Sequence, residues 1–165
     1  MDGYRYHAYN IDLNAAGRLY SDLYGHVSPK GFFKRPIAPI KQLLLRQNGL
    51  MTLEAYGRAF MAMRHYLREL SLKENRLQKV PPEILPLASL TSLSLASNQI
   101  SSIDEGVFSH LKHLQWLSLS CNELVTLPDD LIDCRKLKGL DIHSNNFKGL
   151  FLQFTLQPSS SKLPA

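Results

Sequence analysis

A few groups of side chains have the types and spacing for chemistry, and each falls short of a site. His110 and His113 stand three residues apart, but a zinc centre needs at least a third protein ligand and none stands nearby. Asp129 and Asp130 are adjacent carboxylates. They open a short apolar stretch, where acidic side chains suit the N-terminus of a short helix. Asp141 and His143 form an acid–base pair, yet neither a nucleophile nor a cleft accompanies them. No Gly-rich phosphate loop, Cys-x-x-Cys or His-Glu-x-x-His occurs. The expectation is a chain that is not an enzyme, uses no cofactor and holds no metal.

The elements that would position these residues are set by a repeat. Asn48, Asn75, Asn98, Asn122 and Asn145 follow one another at intervals of 27, 23, 24 and 23 residues. A near-constant period in the twenties marks a solenoid. Each asparagine sits in one apolar frame. Leu67-x-x-Leu70-x-Leu72-x-x-Asn75-x-Leu77 recurs as Leu90-x-x-Leu93-x-Leu95-x-x-Asn98-x-Ile100. It returns as Leu114-x-x-Leu117-x-Leu119-x-x-Asn122-x-Leu124 and as Leu137-x-x-Leu140-x-Ile142-x-x-Asn145-x-Phe147. An upstream copy runs Ile40-x-x-Leu43-x-Leu45-x-x-Asn48-x-Leu50.

This pattern resembles the leucine-rich repeat family, intracellular type. The resemblance covers residues 40 to 151 and implies an α/β solenoid: a right-handed superhelix with a short parallel sheet on its concave face. Elementary chemistry agrees. Alternation with period 2 turns both leucines of Leu-x-Leu to one side of a short strand. The asparagine side chain offers one acceptor and two donors, enough to satisfy backbone groups in its own coil and in a neighbour. The five asparagines are expected to stack as a structural ladder. Ile84/Leu87, Phe108/Leu111 and Leu131/Cys134 should bury inward on the far side. Residues 54 to 66 read as a helix with Tyr56, Phe60 and Met63 on one side. Pro81 and Pro128 suit extended entries to the far side.

The domain plan is an N-terminal cap or arm at 1–39, repeats at 40–66, 67–89, 90–113, 114–136 and 137–151, and a tail at 152–165. Leu13, Ala16, Leu19, Tyr20, Leu23 and Tyr24 suggest a helical cap over the first coil, stopped by Gly25. The sequence Gly31-Phe32-Phe33-Lys34-Arg35 is similar to the membrane-proximal motif of integrin α tails, but the residues before it cannot span a membrane. The last repeat lacks its far-side half. A lid from residues 151–156, a partner chain or self-association through that edge would cover it.

The formal charge of +5 and pI near 9.3 permit acidic partners without demanding them. There is no apolar leader at the N-terminus and no Asn-x-Ser/Thr acceptor. Clustered capping cysteines, which the extracellular branch of the family carries, are absent. The two cysteines, Cys121 and Cys134, both fall in one repeat and should not bridge. The expected location is cytoplasmic, extending to the nucleus.

Residues alternating with the core leucines should point outward on the strand face, which the resemblance makes the ligand surface. The candidate protein-binding residues are Arg46, Glu69, Lys73, Ser92, Ser94, Trp116, Ser118 and Asp141. Ser71, Ala96 and Ser120 belong to the same outward rows. Trp116 is the only tryptophan, and it has two readings. It anchors a protein ligand among small serines that allow close approach, or it lies flat over the strands and stiffens them. The expected function is a protein-binding adaptor or regulatory scaffold for a protein of unknown identity. Alternatives are a basic module associated with nucleic acid or phospholipid, with nucleic acid disfavoured, and a truncated repeat protein needing a partner chain.

Overall fold

The computed structural model describes residues 9–10 and 41–147. Short parallel strands line up in chain order as one sheet: β1 (Tyr9–Asn10), β2 (Gln42–Leu44), β3 (Glu69–Ser71), β4 (Ser92–Ser94), β5 (Trp116–Ser118) and β6 (Gly139–Asp141). Leu43, Leu70, Leu93, Leu117 and Leu140 stand opposite one another across the ladder. The period of two explains this register, because a slip of one residue would turn every leucine to solvent. The pairing continues one residue beyond each strand. Leu72 N donates to Ser94 O at 2.8 Å, Leu95 N to Ser118 O at 2.8 Å and Leu119 N to Asp141 O at 2.7 Å. These bonds lock coil onto coil to form the solenoid.

Between strands the chain returns along a far side of short helical turns. After a 3-10 turn at Glu54–Tyr56 comes the helix α1 (Gly57–Met63), shorter than the helix expected over 54–66. Ala59, Phe60 and Met63 form its buried face, and Tyr56 packs at the core margin. Later coils use 3-10 turns at Pro82–Ile84, Phe108–His110 and Asp129–Asp133. Pro81 and Pro128 hold extended backbone just before two of them, as a ring-locked φ favours. Ile84, Leu87, Phe108, Leu111, Leu131 and Cys134 all point into one continuous core.

Each coil turns at the residue before its asparagine. Gln47, Glu74, Ser97, Cys121 and Ser144 have φ between 52° and 59°. This left-handed conformation is costly for residues with a Cβ, and these five share no side-chain chemistry that foretells it. Only their place before asparagine does.

The asparagines hold that turn. Asn98 Oδ1 accepts from Leu77 N at 3.1 Å, and Asn98 Nδ2 donates to Leu72 O and Leu95 O at 3.0 and 2.9 Å. Asn122 repeats the pattern with Ile100 N, Leu95 O and Leu119 O, each at 3.0 Å. Asn145 bonds Leu124 N, Leu119 O and Ile142 O. Asn75 bonds two donors, Asn48 N and Leu50 N, and the carbonyls of Leu45 and Leu72. Asn48 is buried and donates to Arg46 O at 2.7 Å. Successive asparagines therefore share carbonyl acceptors across coils.

At the N-terminal edge, Tyr9 stands opposite Leu43 and Asn10 opposite Leu44. The segment ahead of the repeats thus adds a strand to the sheet. The helix expected around Leu13–Tyr24, the basic-aromatic residues 30–35 and the lid and tail beyond 147 lie outside the described residues.

Candidate protein-binding face

Register places the outward residues in two rows. One runs Gln42, Glu69, Ser92, Trp116, Gly139, and the other Leu44, Ser71, Ser94, Ser118, Asp141. Trp116 is 56% exposed, among the most exposed large apolar side chains described. Its neighbours along the row are Ser92 and Gly139, both small. A Cβ built on Gly139 would stand 2.1 Å from the nearest atom of the indole ring, so the ring lies against the Gly139 backbone. Gly139 is an outward position of the last repeat by alternation but is not one of the candidate binding residues. Its signal in the sequence is its place directly across from the tryptophan, which only the register reveals.

Ser92, Ser94, Trp116, Ser118, Gly139 and Asp141 line one shallow depression of about 260 Å³. Leu93, Leu117 and Leu140, the core-facing residues of the same strands, also border it. Ser118 Oγ donates to Asp141 Oδ2 at 3.1 Å and meets Ser120 Oγ at 3.1 Å. Burial pushes the Asp141 carboxyl up, but bonds from His143, Ser120 and Ser118 outweigh it, and the group titrates below the usual aspartate range.

The remaining candidates sit apart. Glu69 lies two strands from Trp116, roughly 10 Å away, and accepts from Gln42 Nε2 at 2.7 Å. Lys73 pairs with Glu74 at 3.0 Å, and Gln47 also bonds Glu74. The Glu74 carboxyl is lowered by Lys73 first and Gln47 second. Arg46 Nε donates to Ser71 Oγ at 3.3 Å. The exposed Lys73–Glu74 ion pair adds little stability.

Three outward positions differ from expectation. Ser71, Ala96 and Ser120 are 6%, 6% and 4% exposed. Their small side chains are covered by the adjacent coils, and Arg46 reaches over Ser71.

The chemistry-capable pairs are separated or engaged. His110 Nδ1 meets Gly106 O at 2.7 Å, while His113 Nδ1 meets Lys136 Nζ at 3.0 Å. Among the described residues no three His, Cys, Asp or Glu side chains are arranged so that they could hold a metal ion. Asp129 and Asp130 open the 3-10 turn as expected, but Asp130 Oδ2 accepts from Ser109 N at 2.8 Å, joining two coils. Cys121 is exposed, Cys134 is buried, and both are free thiols.

A family profile described as "Leucine rich repeat" matches residues 65–124 and 88–147, about half the chain. The chain belongs to the leucine-rich repeat family. A leucine-rich repeat protein from Leptospira interrogans has a similar solved structure, with a TM-score of 0.62 and 29% identity, covering 67% of this chain and 27% of that one. Bovine (Bos taurus) osteomodulin is 38% identical over 91 residues, 55% of this chain and 21% of its own length. A MAP kinase phosphatase with leucine-rich repeats from Dictyostelium discoideum is 37% identical over 109 residues, 66% of this chain and 13% of its own length. A volume-regulated anion channel subunit from Rattus norvegicus is 35% identical over 83 residues, 50% of this chain and 10% of that subunit. This leucine-rich repeat chain therefore spans between about a tenth and just over a quarter of the length of these proteins. No helix among the described residues is long and apolar enough to cross a membrane.

Replacing Gly139 should free the tryptophan. Gly139→Ala is expected to swing the indole off the backbone, shifting Trp116 emission to the red and raising its quenching by acrylamide. Stability should change by less than about 1 kcal/mol, since a strand alanine partly offsets the lost contact. Unaltered emission and quenching would show that the ring does not rest on Gly139.

Proposed function

We propose that this chain is a protein-binding adaptor or regulatory scaffold that holds a partner on its strand face, anchored at Trp116. The observation carrying this reading is a tryptophan left 56% exposed on a sheet face and seated on a glycine. An indole held in one position loses little conformational entropy on binding, and tryptophan is enriched at interface hot spots. Half-buried Ser92, Ser94 and Ser118 leave room for a partner's backbone beside it. Asp141 supplies a negative rim that steers encounter more than it adds affinity. Glu69, Lys73 and Arg46 extend the surface toward the N-terminal coils. An exposed, unbridged Cys121 suits a reducing compartment, in keeping with a cytoplasmic location.

The test is affinity purification with the parent chain and Trp116→Ala, followed by identification of bound proteins and a thermal melt of each. Loss of the tryptophan should weaken the bound partner by about 2 kcal/mol or more, roughly thirtyfold. The melting temperature should stay within a few degrees. Retained partners combined with a lowered melting temperature would assign Trp116 to stiffening the sheet.

A further inference from the structure

A second feature of the strand side adjoins the tryptophan depression and shares Ser118 and Asp141 with it. Cys121 and His143 belong to neighbouring coils, and Cys121 N donates to His143 O at 2.9 Å. That backbone bond brings their side chains together. Cys121 Sγ is 3.8 Å from His143 Nε2. On the other side of the ring, His143 Nδ1 is 2.5 Å from Asp141 Oδ1, and His143 N also donates to that oxygen at 3.4 Å. Asp141 is itself held by Ser118 Oγ. Thiol, imidazole and carboxylate thus stand in line.

We propose that Cys121 is a modification site: a solvent-facing thiol with His143 as its base and Asp141 as the residue positioning that base, suited to exchange with low-molecular-weight disulfides. An anionic Asp141 fixes the imidazole tautomer with its hydrogen on Nδ1, leaving the Nε2 lone pair toward the thiol. Nε2 takes the proton from Sγ. The thiolate attacks one sulfur of a small disulfide such as oxidised glutathione, and a new S–S bond forms as the old one breaks. The departing sulfur leaves with the electron pair and takes the proton back from Nε2. Among the described residues, titratable groups approach Cys121 from its own coil and the following one. His143 and Asp141 face it from the following coil, and exposed Glu123 lies on its own coil. The preceding coil presents Ala96 and Ser97, which carry no charge.

Cys134 provides an internal reference. It is 4% exposed, its thiol donates to Phe108 O and Leu111 O, and burial with Asp130 and Asp133 nearby pushes its pKa up to about 11. The intact chain is treated separately with oxidised glutathione and with iodoacetamide, and modification at each cysteine is followed by mass spectrometry. At about pH 7, Cys121 should react roughly a hundredfold faster than Cys134. His143→Ala should slow Cys121 about tenfold at that pH but not near pH 10.5, where hydroxide removes the proton instead. Free imidazole in the buffer should restore the rate, and Asp141→Asn should slow it about threefold. Imidazole rescue separates loss of a base from loss of fold. A His143→Ala chain that reacts at the parent's rate near pH 7, or slows equally at both pH values without rescue, would overturn the proposal.

Discussion

A chain carrying Asn98→Ala together with Asn122→Ala should lose more stability than the two single variants add up to. The reason is the sharing of acceptors. In Asn98→Ala, Leu77 N loses its acceptor, but Leu72 O keeps Asn75, Leu95 O keeps Asn122 and Ala96 O keeps Glu74 N. In Asn122→Ala, Ile100 N is orphaned while Leu95 O keeps Asn98 and Leu119 O keeps Asn145. One stranded buried N–H costs about 1–3 kcal/mol. The double variant strands Leu77 N and Ile100 N and also strips Leu95 O of both its amide donors. That third group has no counterpart in either single variant, so the coupling should be about 1 kcal/mol beyond additivity. Urea titrations of the four chains in a double-mutant cycle measure it. Strict additivity would mean that water or backbone adjustment satisfies Leu95 O.

The largest loss from a single side chain is expected at Phe108. Phe108→Ala should destabilise by about 3–5 kcal/mol, because a fully buried ring is replaced by a cavity that rigid coils cannot close. The ring lies where a 3-10 turn enters the core, and the turn's carbonyl also receives the Cys134 thiol from the next coil. Damage should therefore spread to the contact between these coils, which in a solenoid carries much of the stability. Ile132→Ala is the matched reference. Ile132 is 71% exposed on the neighbouring turn, and its loss should stay within about 0.5 kcal/mol. Comparable urea midpoints for the two variants would refute the buried role of Phe108.

Much of the fold is legible in the sequence alone. The Leu-x-Leu alternation foretold which residues face the core, and the far-side pairs Ile84/Leu87, Phe108/Leu111 and Leu131/Cys134 went inward as read. The candidate face was legible in part. Trp116 was visible as an outward tryptophan, and Asp141 with His143 as a pair. The seat on Gly139 and the thiol beside His143 were not, because each joins residues 22 or 23 positions apart.

The division has a physical cause. Which way a side chain points along a strand, and whether a turn can hold an asparagine inward, are matters of local backbone geometry, and a single coil's residues decide them. What lies across the sheet depends on how neighbouring coils stack. Stacking buried Ser71, Ala96 and Ser120 where alternation had them exposed, and left Trp116 open to solvent. It also made successive asparagines share carbonyls and lined up Cys121, His143 and Asp141. Those relations exist only between coils, so tertiary packing alone could set them.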